Sequence, residues 1–328
     1  MRTASDWLTA PRIGLGLAAL GRPGYINLGH AADLEGRYGV EVMKAHAHAV
    51  LDAAWAAGVR YFDAARSYGR AEEFLESWLE SRAIAAHDGT IGSKWGYAYT
   101  AGWRVDAETH EIKEHSLGRL ERQVTESRAI LGAQLDLYQI HSATLATGVL
   151  EDRQVLERLA ELKRDGLKIG LTVTGLDQAE TVRRAIEVAV DGARLFDSVQ
   201  ATWNVLERSA GAALAEAQGV SMRVIVKEGL ANGRLAERSR DPSFACKRVV
   251  LDRVAKRLGA TIDAVALAAV LAQPWADVVL SGAATVDQLR SNLGAHAVRL
   301  DDLAIEELAA LAETPETYWK TRAAMPWN

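Results

Sequence analysis

The chain has 328 residues, 49% of them hydrophobic, and 38 Lys and Arg against 43 Asp and Glu give a formal charge of −5. That length serves one large domain or two ordinary ones, and a compact chain of this size buries roughly three quarters of its extended surface. A single cysteine, Cys246, excludes an intrachain disulfide and a cysteine-rich metal centre, and the slight, interspersed acidity speaks against a nucleic-acid groove.

Residues 1–16 hold no sustained apolar run of the kind a signal sequence needs. The richest later run, residues 265–272, is far shorter than the roughly 20 residues that cross a bilayer. The expectation is a soluble cytoplasmic protein with a reduced thiol and neither a membrane nor a nucleic acid as partner.

In chain order, short apolar runs fall at 12–20 (RIGLGLAAL), 59–65 (VRYFDAA), 90–94 (TIGSK), 135–141 (LDLYQIH), 168–173 (KIGLTV), 195–202 (LFDSVQAT), 222–228 (MRVIVKE) and 277–283 (DVVLSGA). Most are continuous in apolar character, as strands of a parallel sheet covered on both faces are. Between them, apolar residues recur three and four apart: Phe74, Leu75, Trp78 and Leu79; Val155, Leu156, Leu159 and Leu162; Val182, Ile186 and Val190; Val250, Val254 and Leu258. These spacings predict amphipathic helices, with Gly166 and Gly259 as stop signals.

Eight strand–helix units without a linker or a shift in composition predict one α/β domain over 1–328, a TIM (β/α)8 barrel. An open doubly wound sheet is the competitor. Its GxGxxG fingerprint is missing after the early strands, since GLGLAALG at 14–21 has the wrong spacing. Two irregular stretches, 21–38 and 97–114, follow the first and third strands and are expected to project from the C-terminal face as mouth loops, either walling a pocket or plugging the barrel end.

Polar residues gather where the strands end. Asp63 closes RYFD with Tyr68 five residues on, Lys94 falls in IGSKWG, and His141 closes LYQIH. A barrel brings such positions into one mouth. A tyrosine hydroxyl, with a pKa of about 10, becomes a useful proton donor or acceptor when a nearby cation lowers it. Lys94 can supply that cation, Asp63 can hold Lys94, and His141 can donate to a carbonyl oxygen gaining charge. Singly, each has a structural explanation: a turn cap, a rim aromatic, a partner for another carboxylate, a satisfied interior histidine. Together they describe acid–base help for carbonyl reduction or alcohol oxidation.

At these residues the chain resembles the aldo-keto reductase family, through RIGLGLAALG, YFDAARSYGRAEEFLESWL, IGSKWG, LDLYQIHS, VQATWNVLER and VVLSGAATVDQLRSNLGA, in the family's order and spanning nearly the whole chain. The resemblance implies hydride transfer between NADP(H) or NAD(H) and a small carbonyl or alcohol, with Tyr68 as general acid/base, Asp63 and Lys94 tuning it, His141 orienting the carbonyl, and no metal. It assigns the nicotinamide amide to Gln200 and a hydroxyl contact to Thr172, where Thr172 and Val173 replace the family's Ser-Asn pair. It places loop and phosphate contacts at Gly229, Leu230, Gly233 and Arg234. The adenosine half falls to Gly282, Ala283, Ala284, Thr285, Gln288 and Asn292, a stretch that also reads simply as a helix capped by Thr285 with Gln288 at its third position.

Two departures stand out. Lys227 occupies the place of the aromatic residue that stacks on nicotinamide, with Trp203 as a conceivable substitute. Gly282 and Gln288 stand where basic residues often grip the 2′-phosphate, so NAD becomes a realistic cofactor. Tyr25, Trp95, Tyr97, Tyr99 and Trp103 suit either a pocket lining or a sealed barrel end. His46 and His48, two apart on a helix, do not share a face for metal. The tail at 314–328 is expected to fold across the mouth or over the barrel's outside. A sugar or alcohol dehydrogenase working oxidatively and a nonenzymatic nicotinamide-nucleotide sensor are the rival functions. Apolar patterning leaves monomer or homo-oligomer open.

Overall fold

A computed structural model describes residues 12–237, 239 and 244–328. Of the opening stretch read for a leader, residues 1–11 lie outside these. Eight strands, β1 (Ile13–Gly16), β2 (Tyr61–Asp63), β3 (Thr90–Trp95), β4 (Leu135–Ala143), β5 (Lys168–Val173), β6 (Ser198–Thr202), β7 (Arg223–Lys227) and β8 (Val278–Ser281), close into a barrel. Every neighbouring pair is parallel, β1 pairing with both β2 and β8. Six of the strands fall within one of the eight apolar runs, and β3 and β4 start with theirs and continue one and two residues past its end. Among the described residues no helix is long and apolar enough to cross a membrane.

The helix Arg153–Arg164 shows how local sequence fixes a barrel unit. Asp152 caps it by accepting from the Val155 N–H, and Lys163 and Arg164 suit the negative end of the dipole. Gly166, with φ of 104°, makes the turn into β5. Val155, Leu159 and Leu162 are fully buried under the strands, each worth about 2 kcal/mol in removed apolar surface. Inside the barrel Tyr61, Leu137, Ile225, Val278 and Leu280 form a separate apolar layer.

Val190 departs from the expected helix, which ends at Glu187. Ala189–Val190 pairs antiparallel with Ala193–Arg194, because Asp191 and Gly192 both adopt positive φ, the two-residue Asp-Gly turn of a hairpin. The 97–114 stretch likewise contains an antiparallel pair, Tyr97–Tyr99 with Glu111–Lys113, and 21–38 contains the short helix His30–Leu34. The tail forms the helix Pro315–Ala323, capped by Thr314, and then crosses to the first mouth loop. There Asn328 and Tyr25 exchange backbone hydrogen bonds at 3.0 and 3.1 Å.

The first loop also touches the turn that carries Tyr68. The Arg70 N–H donates to the Gly21 carbonyl at 2.8 Å. A Cβ on Gly21 would lie 2.3 Å from the Tyr68 carbonyl oxygen and 2.5 Å from the Ala71 Cβ. Gly21→Ala must therefore push the two segments apart. It is expected to cost about 1–3 kcal/mol, read as a lower midpoint in urea or thermal unfolding; an unchanged midpoint would show that this close approach is not needed.

Candidate active site

Asp63 and Lys94 meet at the mouth as a buried ion pair through Asp63 Oδ2. Lys94 Nζ also donates to the Ala64 carbonyl at 2.8 Å. Asp63 Oδ1 accepts from Tyr61 Oη at 3.0 Å, Gln200 Nε2 at 3.0 Å and Gln139 Nε2 at 3.2 Å. Such saturation is what a buried ion pair requires, since any unanswered lone pair or proton adds to its desolvation cost. Above the pair, Lys94 Nζ lies 4.8 Å from the centroid of the Tyr68 ring. Tyr68 Oη is 3.5 Å from His141 Nε2, and Ser67 Oγ is 3.4 Å from His141 Nδ1. All four residues read from strand ends are thus brought together.

Their electrostatics differ from the expectation in one respect. Lys94 is answered by the Asp63 carboxylate, and the Tyr68 phenol is pushed up, by burial first and Asp63 second, with Arg22 opposing. The hydroxyl is therefore held protonated. Burial, then Lys94 and Arg22, hold His141 well below the ordinary imidazole range. Its neutral ring presents one donor and one acceptor nitrogen. Burial likewise lowers Lys94, against the pull of Asp63.

A cavity of about 520 Å³ extends from this cluster toward the N-terminus of the helix Val286–Leu293. Asp63, Tyr68, His141, Gln200, Gly229, Leu230, Gly233, Gly282, Ala283, Gln288 and Asn292 all line it. The first loop and the segment after β7 tie together across it: the Leu28 N–H donates to the Asn232 carbonyl at 3.0 Å and Asn232 Nδ2 to the Ile26 carbonyl at 2.9 Å. The residues present suit a dinucleotide. A Cβ on Gly282 would meet nothing within 4 Å, and the side-chain oxygens of Asn232 and Asn292 are buried without hydrogen-bond partners among the described residues. Each is an acceptor waiting for a donor.

Other expected contacts are placed elsewhere. Thr172 is fully buried and does not line the cavity; its Oγ1 accepts from the Ser142 N–H at 2.6 Å. Arg234 donates to Glu313 through two hydrogen bonds of 2.9 and 2.6 Å and does not line the cavity. Thr285 caps the helix by accepting from the Gln288 N–H, and Gln288 Oε1 accepts from the Ala284 N–H at 2.9 Å. Thr285 and Ala284 therefore build the helix end and do not line the cavity. Trp203 packs edge-on to Trp275 and does not replace a stacking aromatic. Of the five aromatics, Tyr25 and Tyr97 line the cavity, whereas Trp95 is fully buried and Trp103 packs on Phe74, its backbone N–H donating to Tyr99 Oη.

Sequence reasoning missed Arg22, Glu111, Glu228 and Arg322, all of which line the cavity. Glu228 was detectable as the acid beside Lys227 at a strand end. Its backbone takes a φ of 55°, and its carboxylate accepts from Arg322 Nε and Nη2 at 2.6–3.0 Å and from Thr202 Oγ1 at 3.1 Å. Lys227 Nζ donates to Thr202 Oγ1 at 2.9 Å and lies 3.8 Å from Glu228. Burial lowers Lys227 to about 8 despite Glu228. Burial also acts to raise Glu228, but Arg322 and Lys227 overcome it and hold the carboxyl at about 2. Among the described residues, no group of three or more His, Cys, Asp or Glu is placed to hold a metal ion.

Parallel barrels keep their chemistry at the C-terminal ends of the strands, and here those ends combine the buried cluster of Asp63, Lys94, Tyr68 and His141 with a dinucleotide-sized cleft, an arrangement that suits a nicotinamide-dependent oxidoreductase. Residues 12–313 match the aldo/keto reductase family, and the chain belongs to it. Aldo-keto reductase str7 of Strobilurus tenacellus is 27% identical over 324 residues, covering 92% of this chain and 88% of that protein. The uncharacterized oxidoreductase YqkF of Bacillus subtilis (strain 168) is 27% identical over 290 residues, covering 82% and 87%. Among solved structures, the holo form of aldo-keto reductase AKR11C1 from Bacillus halodurans superposes with a TM-score of 0.70 at 19% identity, covering 93% of each chain. The protein is an NAD(P)H-dependent oxidoreductase.

The Glu228 cluster makes stability depend on pH. Between about 2 and its ordinary 4.5 the Glu228 carboxyl binds fewer protons folded than unfolded. Its stabilisation is therefore complete above that window and lost as pH falls through it. Lys227, lowered from 10.5 to about 8, acts in the alkaline range, where stability rises as pH passes through that interval. Glu228→Gln is expected to flatten the fall in melting temperature from about pH 5 to about pH 2. An acid limb as steep as that of the unaltered protein would contradict the assignment.

Proposed function

We propose that the protein reduces the carbonyl group of a small substrate with NAD(H), using Tyr68 as the proton donor. The observation that carries this reading is the buried Tyr68 hydroxyl, 3.5 Å from His141 Nε2, above the Asp63–Lys94 pair. Bound reduced nicotinamide supplies the hydride. His141, neutral, orients the carbonyl oxygen by donating from one ring nitrogen. Tyr68 gives that oxygen its proton, and Lys94, with its charge held in place by Asp63, offsets the phenolate left behind. The same groups run alcohol oxidation in reverse; burial and Asp63 both favour the protonated phenol, the form from which reduction starts.

Gln200, Gly229, Leu230, Gly233, Gly282, Ala283, Gln288 and Asn292 are proposed to hold the dinucleotide. Asn232 joins them on the strength of its unpartnered oxygen. A preference for NAD(H) is supported by the charges at the far end of the cavity. Glu237, Asp263 and Asp287 line it there, and Gln288 Nε2 is occupied by Asp33 at 2.7 Å. No basic side chain lines this end among the described residues. The exposed thiol of Cys246 suits the reducing cytoplasm, the proposed location.

Tyr68→Phe is expected to lower kcat/KM for a good carbonyl substrate by roughly a hundredfold or more while leaving the cofactor dissociation constant within about threefold. Unchanged turnover would remove Tyr68 from the chemistry, and cofactor binding without turnover of any carbonyl or alcohol would favour a sensor. Parallel titrations with NAD(H) and NADP(H) test the cofactor: tighter NAD(H) binding is expected, and NADP(H) binding tighter by about a hundredfold, near 3 kcal/mol, would contradict it.

A further inference from the structure

Arg22 stands at the reactive end, and the proposed proton transfer does not use it. It lies in the first mouth loop, lines the cavity, and is only 2% exposed. Its guanidinium carbon sits 5.1 Å from the Tyr68 ring centroid, 5.4 Å from that of Tyr25 and 4.8 Å from that of Trp327. Among the described residues both of its hydrogen bonds come from one nitrogen: Nη1 donates to the Ser67 carbonyl at 2.8 Å and to Glu111 Oε2 at 2.9 Å. Nε is buried without a partner among the described residues. A guanidinium anchored by Nη1 and walled by aromatic faces keeps its Nε/Nη2 edge for a planar two-oxygen acceptor, the geometry in which arginine grips a carboxylate.

The surrounding charges point the same way. Lys94 is matched by Asp63, Arg22 by Glu111, and Arg322 by Glu228, which it shares with Lys227. Among the described residues Lys227 is thus the surplus cation at this end, and an anion entering here meets a positive balance. Arg22 is also close enough for its charge to act on both Tyr68 and His141.

We propose that the substrate is a short oxo acid whose carboxylate is received by Arg22 while its carbonyl group faces Tyr68 and His141. This rests on the reductase reading given above and adds the substrate class. In the reaction the carbonyl carbon accepts a hydride from reduced nicotinamide, the former C=O π pair moves to oxygen, and that oxygen takes the Tyr68 proton. The products are a hydroxy acid and oxidised nicotinamide, and the carboxylate is unchanged. A carboxylate is favoured over a phosphate because Glu111 already shares the guanidinium, and a dianion beside it meets greater repulsion than a monoanion.

The test compares glyoxylate, pyruvate and 4-oxobutanoate with their methyl esters on the unaltered enzyme, with glyceraldehyde 3-phosphate as the phosphate-bearing probe. At least one acid is expected to exceed its ester by tenfold or more in kcat/KM, chiefly through KM. In Arg22→Met that acid-to-ester ratio is expected to fall toward one, whatever the absolute rates. In Glu111→Gln, which removes the competing carboxylate, it is expected to rise. Esters turned over as well as acids, a ratio unmoved in Arg22→Met, or a phosphate probe preferred over every acid would overturn the oxo-acid assignment and leave the reductase reading standing. Turnover of no probe and of no neutral aldehyde with either cofactor would instead overturn both.

Discussion

The mouth of this barrel is organised around one buried ion pair. Lys94 and Asp63 meet where water cannot solvate them, and the surrounding strands supply the partners that make this tolerable. Tyr61 comes from β2, Gln139 from β4 and Gln200 from β6, all donating to a single carboxylate oxygen, while the Ala64 carbonyl accepts from the ammonium. Four strands are thereby held in register at their polar layer, directly beneath Tyr68. The apolar layer of Tyr61, Leu137, Ile225, Val278 and Leu280 excludes water from the barrel interior. Tyr61 belongs to both, its ring in one layer and its hydroxyl in the other. On the proposed chemistry the same pair that fixes the strands holds a cation against the Tyr68 ring, so fold and reaction draw on one interaction.

Above that layer the mouth is closed by contacts between segments distant in sequence. Arg22 reaches Glu111 across 89 positions and Arg322 reaches Glu228 across 94. His110 stacks on Trp327 with ring centroids 4.1 Å apart, and the Asn328 amide donates to the Asn27 carbonyl. The two mouth loops and the tail thus form one cover. The cavity beneath it is cationic and aromatic near Tyr68 and acidic toward the far end, a division that suits the proposed anionic substrate at one end and the proposed nucleotide without a 2′-phosphate at the other.

The eight strands were legible in the sequence because parallel barrel strands are buried on both faces and leave continuous apolar runs. Asp63, Lys94 and His141 were legible because a polar residue ending such a run is conspicuous, and Tyr68 because it follows one closely. The hairpin at 189–194 was hidden by Val190, whose spacing from Ile186 matches a helix although Asp191-Gly192 is a hairpin turn. Arg234 looked available because its partner, Glu313, lies 79 residues away. Arg22 carried no local signal: what distinguishes it is burial among Tyr25, Tyr68 and Trp327, which only the closed mouth creates. The upward shift of Tyr68 was equally out of reach, since it depends on how completely the ring is buried.

The most direct test of the ion pair's role is the rate of a single hydride transfer in Lys94→Met, Asp63→Asn and the double variant, followed alongside their unfolding midpoints. Each single change leaves a buried group unanswered, so the singles are expected to lose stability and the double variant to recover much of it. If the pair serves proton transfer as well as the fold, the refolded double variant stays slower than the unaltered enzyme by roughly a hundredfold or more. A double variant as stable and as fast as the unaltered enzyme would contradict that account and leave the pair a device of the fold alone.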